Sequence, residues 1–315
     1  MAHAVVVVGC GVIGLTSAIR LQESGVDVQI ITRDLPPKLT SAAAGAYWYG
    51  GELAQHPDRH RWSFASLEEY MRLAQGDYCG VSLFTMLEVF PYTVADPWFK
   101  DQITSFRRAE PNELPPEFRD GYWMEIPIVE TPLYLAYLVK RFTDGGGHIE
   151  QRAINELADL ADDYPLIVNC TGVYARHVAN DPSVIPLRGQ TVKVDAPHIH
   201  NAYMDDSTFT YILPRRDGCV LGGVSQPNNW SLDVSIEDRN HILQLCTKID
   251  PSLNTAAIIG ETVGLRPGRH AVRLEYETVQ HATVIHNYGH GGLGFTLSWG
   301  CAADVVKLAH EATNQ

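Results

Sequence analysis

A chain of 315 residues is long enough for about two units of ordinary size, and 45% hydrophobic content supplies a core for each. A net charge of −13 excludes a nucleic-acid binder, whose ligand calls for a basic face. No apolar run reaches the length of a membrane span, and six scattered cysteines with no C-x-x-C pair point to buried thiols in a reducing, cytoplasmic setting.

The chain opens on an apolar run, Val5 to Val8, that leads into Gly9-Cys10-Gly11-Val12-Ile13-Gly14 and a helix-like stretch from Leu15 to Glu23. The pattern predicts a dinucleotide grip. Its first glycine permits a tight strand-to-helix turn, the second lets backbone approach a pyrophosphate, and the third lets helix pack on strand. Orphan N–H groups and the positive dipole end of the helix then carry the diphosphate without a basic side chain. A second predicted strand, Val26 to Ile31, gives the motif the context it requires. Residues 51–130 are rich in aromatics and broken by prolines at 111–118 and 127–132. Helical spacing returns over Leu133 to Phe142 and stops at Gly145-Gly146-Gly147, before predicted strands at His148 to Ala153 and Leu166 to Asn169. Short alternating runs from Arg188 to Gly223 predict an antiparallel sheet. A polar helix at Ile236 to Lys248, a strand at Thr283 to Asn287, a glycine loop and a helix from about Thr296 to Ala312 close the chain.

Nucleotide-type pieces at the start, middle and end predict an α/β protein of two interleaved, discontinuous domains. The first is a Rossmann-like unit of residues 1–50, 141–187 and 259–315. The second, of residues 51–140 and 188–258, is a mixed or antiparallel-sheet substrate unit.

An NAD enzyme places an acidic residue at the end of the second strand, about twenty residues beyond the glycines. Thr32-Arg33-Asp34 stands there. Asp34 suits a ribose hydroxyl and Arg33 a 2′-phosphate, so the strand end alone leaves FAD, NAD and NADP open. The run Leu166 to Asn169 followed by Cys170-Thr171-Gly172 resembles the strand ending in Thr-Gly of flavoproteins with a two-dinucleotide-type fold, and on that resemblance FAD is favoured. His286 and His290, or His198 and His200, invite a metal reading. The first pair spans a glycine loop and no Cys or carboxylate cluster completes either, so no metal is expected.

Four stretches together resemble the D-amino-acid oxidase family, which includes D-aspartate oxidase: Val6 to Gly14, Val168 to Gly172, Val263-Gly-Leu-Arg-Pro-Gly-Arg269, and Ile285-His-Asn-Tyr-Gly-His-Gly-Gly-Leu-Gly294 with Ser298-Trp-Gly300. Smaller matches lie at Thr32 to Pro36, Ala44 to Ala46, Arg188 to Gln190 and Tyr211 to Pro214. The resemblance implies FAD as cofactor, a D-amino acid and molecular oxygen as substrates, and imino acid and hydrogen peroxide as products. For FAD it implies contacts from Gly9, Cys10, Gly11, Val12, Ile13, Gly14, Arg33, Asp34, Thr40, Ser41, Gly45, Ala46, Ile154, Thr171 and Gly172. Gly291, Gly292, Leu293, Gly294, Phe295 and Thr296 complete that set.

Arg266, between a glycine two residues back and a proline, fits either a structural ion pair or a two-bond fork on a carboxylate. The resemblance implies the fork, and leaves Arg269 a structural role. Tyr211 begins a strand-like run and would pack on chemistry alone; the resemblance implies that its hydroxyl meets the same carboxylate. Backbone at Gly292 is implied as acceptor for the substrate amine. The second tyrosine that animal members carry just before the Tyr211 motif has no counterpart, since Ser207 or Phe209 occupies the region, and a shorter active-site cover is expected. Neutral side chains are expected over acidic ones, although Arg215 and Arg216 could greet a side-chain carboxylate. The alternatives are a D-aspartate oxidase or an oxidase of glycine and secondary amines; from another class, an inert flavin binder or an NADP-linked reductase using Arg33. A homo-oligomer is compatible with the resemblance, and the missing terminal Ser-Lys-Leu favours the cytoplasm over the peroxisome.

Overall fold

The computed structural model describes residues 5–51 and 56–313. In chain order its strands are β1 (Val5–Val8), β2 (Val28–Thr32), β3 (Val81–Phe90), β4 (Phe106–Arg108), β5 (Asp120–Val129), β6 (His148–Gln151), β7 (Leu166–Asn169) and β8 (Ile185–Asp195). They continue as β9 (Ala202–Asp205), β10 (Thr210–Arg215), β11 (Gly218–Gly222), β12 (Gln226–Pro227), β13 (Ala257–Gly268), β14 (Arg273–Val279) and β15 (Ala282–Tyr288). The helices are α1 (Val12–Glu23), α2 (Arg59–Ala74), α3 (Thr131–Asp144), α4 (Ala175–Val178), α5 (Ile236–Ile249) and α6 (Gly294–Thr313).

One sheet has six strands in the order β14-β15-β7-β1-β2-β6, and the other runs β12-β8-β11-β10-β9-β3-β5-β4 with β13 paired to β8. Strand β1 is apolar throughout because it is covered on both faces. Val5 and Val7 face the core that includes Leu15, Ile19 and Leu135, whereas Val6 and Val8 face the one holding Leu157, Leu160 and Ile167. Its neighbours β2 and β7 both run parallel to it. The chain winds outward from β1 to β6 on one side and from β7 to β15 on the other, so the crevice beyond the C-terminal ends of β1 and β7 is the switch point at which such sheets take ligands.

The second sheet turns one face to the core that includes Met86, Tyr122, Met204, Tyr211 and Leu213. Its other face carries α5, packed on Val192, Ile212 and Leu221.

The expected domain cuts at 140/141, 187/188 and 258/259 fall inside α3, β8 and β13, so the structure does not divide there. Strand β13 was hidden by Gly260, Gly264, Pro267 and Gly268, which read as breakers; it lies at a sheet edge, where a proline without an N–H is tolerated. Helix α2 was hidden as well, because its buried face includes Ser63 and Ser66 among Trp62, Leu67, Tyr70 and Leu73. Those serines belong to a close crossing with α6: Ser66 Oγ accepts from Trp299 N–H at 3.1 Å, and a Cβ on Gly300 would fall 2.2 Å from Trp62 Cα. Helix α6 begins at Gly294, two residues earlier than predicted, which makes Gly294, Phe295 and Thr296 its first turn.

Candidate active site

The glycine turn after β1 is tight for the reasons its sequence implies. Gly9 has φ +112°, and a Cβ there would stand 2.5 Å from Cys170 O at the end of β7. A Cβ on Gly14 would stand 1.9 Å from Gly9 O, so α1 approaches the turn as closely as backbone allows. The N-cap, Gly11, makes no side-chain cap, and Ser41 Oγ instead accepts the Val12 N–H at 3.0 Å. Cys10 points into the core, where burial pushes its thiol up to about 12, so the side chain packs as a neutral apolar group.

Other expected cofactor residues gather around that turn. Arg33 and Asp34 follow β2, with Arg33 Nε donating to Asp34 Oδ2 at 2.7 Å and its guanidinium lying 3.6 Å over the Tyr174 ring. Thr40 and Ser41 open a short 3-10 turn, and Thr40 Oγ1 donates to Leu265 O on β13. Ile154 packs with Val6, Val8 and Ile31. Thr171 and Gly172 follow β7, with Gly172 at φ +60° and Thr171 Oγ1 donating to Asn169 Oδ1 at 2.7 Å. Gly294 brings the start of α6 to α1, since a Cβ on it would lie 3.7 Å from Val12 Cγ1. Thr296 Oγ1 accepts the Tyr49 N–H at 3.3 Å, and Tyr70 OH donates to Phe295 O at 3.0 Å.

The late glycine loop joins this cradle to Arg266. Gly291 N–H donates to Pro267 O at 2.8 Å, and a Cβ on Gly292 would be 3.7 Å from Arg266 Cδ. The Arg266 guanidinium lies against Gly189, where a Cβ would be 2.3 Å from one terminal nitrogen and 2.5 Å from Cζ and the other. Nη1 donates to Val224 O at 3.1 Å. Tyr211 occupies a similar slot, its ring between Gly222 and Gly45, on which a Cβ would stand 1.9 Å and 2.7 Å from ring atoms. Burial raises the Tyr211 phenol while the neighbouring Arg266 charge holds it back, so the hydroxyl stays a neutral donor. Arg269 instead pairs with Asp181, which also accepts from Tyr288 OH at 2.8 Å. Arg215 pairs with Asp217 and Arg216 stacks on Tyr78, so both expected side-chain arginines are engaged at the β10–β11 turn.

Sequence reasoning missed three residues on this wall. Tyr47 stands 5.8 Å from the Tyr211 ring and 5.9 Å from Tyr49, and Tyr49 OH donates to Glu88 Oε1 at 2.8 Å. The alternation Tyr47-Trp48-Tyr49 was the available signal, with two half-buried phenols flanking a buried indole. Where the cover was expected, between β9 and β10, the chain makes the turn 206–209, tied down by Asp205, which accepts from Ser207 N–H, Ser207 Oγ and Thr208 Oγ1. Phe209 sits on it at φ +57°, exposed. The histidines do not converge: His286 bonds Glu277 and Asn169, His198 bonds Ser252, and His290 is buried in the glycine loop, its Nε2 without a partner among the described residues.

A protein-family model described as "DAO: FAD dependent oxidoreductase" matches residues 4–308. The chain belongs to this family. Among relatives of the DAO family member, a D-amino-acid oxidase of Rubrobacter xylanophilus is 40% identical over 312 residues, covering 98% of this chain and 96% of that protein. A human D-aspartate oxidase is 33% identical over 330 residues, covering 98% and 95%. In fold the chain is similar to a glycine oxidase of Geobacillus kaustophilus, with a TM-score of 0.80 at 18% identity, covering 98% of this chain and 95% of that one. As a DAO-family enzyme it uses FAD, and the residues present fit that group. The turn has no room for a Cβ at Gly9 or Gly14, the N-cap Gly11 brings no side chain of its own to the start of α1, where Ser41 Oγ accepts the Val12 N–H, and these lie at the sheet's switch point beside a second helix start at Gly294.

Proposed function

We propose that this enzyme oxidises D-amino acids with neutral rather than acidic side chains, giving an imino acid that hydrolyses to a 2-oxo acid and ammonia, with oxygen reduced to hydrogen peroxide. What carries the reading is the convergence of Arg266 and Tyr211 on one wall directly beside the Gly291–Thr296 backbone. Bound FAD supplies the acceptor for the hydride and returns the electrons to oxygen. The chain's own task is to hold the substrate still. Arg266 grips the carboxylate as a fork, each charge-assisted bond contributing about 1.5–3 kcal/mol. Tyr211 donates a further bond, and backbone at Gly292 accepts from the amine. The two glycine slots fix the guanidinium and the phenol laterally, and orientation of this kind rather than a general base is what hydride transfer from carbon demands. The positive end of α6 favours negative charge gathering near it by about 0.3–2 kcal/mol, which tunes the reaction without creating it.

We assign the six-stranded sheet with α1, α3 and α6 to FAD and the second sheet, including β13, to substrate, so that Arg266 is contributed from the substrate side. Neutral preference is supported by Glu88, Asp205 and Asp206 near the wall and by the engagement of both Arg215 and Arg216 elsewhere. A cytoplasmic setting is supported by six buried, unpaired cysteines. The test is anaerobic mixing of holoenzyme with D-alanine and, separately, L-alanine while following the flavin spectrum. Bleaching by the D isomer alone is expected; bleaching by NADPH only, by the L isomer, or by neither isomer refutes the reading.

A further inference from the structure

Register across the second sheet places a single row of side chains on the face that carries Tyr211. Tyr211 lies opposite Met204 on β9, Met204 opposite Glu88 on β3, and Glu88 opposite Tyr122 on β5. Directly opposed residues share a face. Glu88 therefore sits two strands from Tyr211, about 10 Å at the usual strand spacing. Two aromatics from the segment after Gly45 cover the row: Tyr47 OH donates to Met204 Sδ at 3.1 Å and Tyr49 OH to Glu88 Oε1.

Glu88 is 1% exposed, and its second oxygen, Oε2, has no well-formed hydrogen bond among the described residues, although the Tyr122 phenol lies beside the carboxyl. A buried carboxylate oxygen without a well-formed donor is costly, which marks the position as one that a further donor would stabilise. Asp205, a buried acid at the end of the adjoining strand β9, has donors on both oxygens. Glu88 differs from it in this respect.

Resting on the D-amino-acid oxidase reading above, we propose that Glu88 is a specificity-determining residue at the far end of the substrate side-chain pocket, where it receives a terminal ammonium or guanidinium. With the α-carboxylate at Arg266 and Tyr211, an extended lysine side chain reaches about 6 Å from its α carbon, and the Glu88 side chain closes the remaining distance. Substrates would thus extend from neutral D-amino acids to D-lysine, D-ornithine and D-arginine, while a side-chain carboxylate would meet a like charge. The groups facing Glu88 are the phenols of Tyr49 and Tyr47 from the covering segment, Tyr122 from β5, and the acids Asp205 and Asp206 from the end of β9 and its turn. Burial raises the carboxyl to about 7, against the phenols of Tyr122 and Tyr49 that hold it down. The cation preference consequently grows with pH.

The experiment compares kcat/KM for D-lysine and D-norleucine on holoenzyme and on E88Q. Between pH 6 and pH 8 the ionised fraction of Glu88 goes from about a tenth to about nine-tenths, so the wild-type ratio rises about ninefold, carried by KM, while the lysine ammonium stays charged. In E88Q the ratio is at least tenfold lower at pH 8 and flat with pH. A measurement on wild type alone covers the case in which E88Q does not fold: 6-aminohexanoate should inhibit D-norleucine oxidation more strongly than hexanoate at pH 8. A wild-type ratio flat with pH, an E88Q ratio equal to wild type, or equal inhibition by the two acids overturns the proposal with the parent reading intact. Absence of turnover with D-alanine, D-norleucine and D-lysine alike overturns both.

Discussion

Gly189→Ala isolates the placement of the Arg266 guanidinium from its presence. The new Cβ would stand 2.3 Å from Nη1, and ordinary contact begins at 3.4 Å, so the guanidinium must retreat by about 1 Å. Only the far end of a flexible side chain is displaced, because β8 keeps its pairing with β13 and the added methyl also trims unfolded-state freedom. Stability should therefore hold, with the thermal midpoint within a few degrees of wild type. Catalysis should not. A misplacement of about 1 Å costs about a hundredfold, and losing one bond of a charge-assisted fork, about 1.5–3 kcal/mol, corresponds to about 10- to 150-fold. The two routes agree on about two orders of magnitude in kcat/KM for D-alanine, appearing chiefly in KM, with flavin content unaltered. Arg266→Lys keeps the charge without the fork and should give a loss of the same order. A G189A enzyme within threefold of wild type would refute the argument that the guanidinium slot positions substrate, and a parallel loss of FAD would move the effect from the substrate to the fold.

Gly14→Ala should act on the cofactor instead: its Cβ would meet Gly9 O at 1.9 Å, backbone that cannot swing aside, so α1 is pushed off the turn and the flavin-to-protein absorbance ratio of purified enzyme drops several-fold. Acid stability should reflect two buried groups of opposite sign. Burial lowers His290 from 6.5 to about 3, so the unfolded chain takes that proton first and stability falls as pH drops through that window, by up to about 1.4 kcal/mol per pH unit. Glu88, raised from 4.5 to about 7, is protonated first in the fold, so its contribution is complete below pH 4.5 and is lost as pH rises through 7. Urea midpoints should then show H290N flattening the decline between pH 4.5 and 3, and E88Q removing a decline between pH 5 and 7; unaltered profiles would contradict the assignment.

The parallel half of the molecule was legible because its signals are local. An all-valine strand, a glycine turn and a helix follow one another within β1 and α1, and β7 with its Thr171-Gly172 end repeats the logic. The helix α2 and the strand β13 were not legible, because each breaks its own periodicity for the sake of a neighbour: Ser63 and Ser66 serve the crossing with α6, and the glycines of β13 serve close approach, as where a Cβ on Gly264 would stand 3.0 Å from Ala43 Cβ. Which segments adjoin is a long-range fact that spacing does not encode.

The same limit explains the candidate site. Arg266 and Tyr211 were found through resemblance, but the residues that give their side chains room are glycines: Gly189 under the guanidinium, Gly45 and Gly222 on either side of the ring. A glycine in a sequence reads as a turn or a weak point in a strand, and here its function is the missing side chain, visible only once the partner across the sheet is known. Glu88 is the converse. An acid in the middle of Met86-Leu87-Glu88-Val89-Phe90, each residue of which is buried, conflicts with its own strand, and such local conflicts concentrate where function outweighs stability. The conflict was readable from sequence; its meaning depended on the cross-strand row that ties Glu88 to Tyr211.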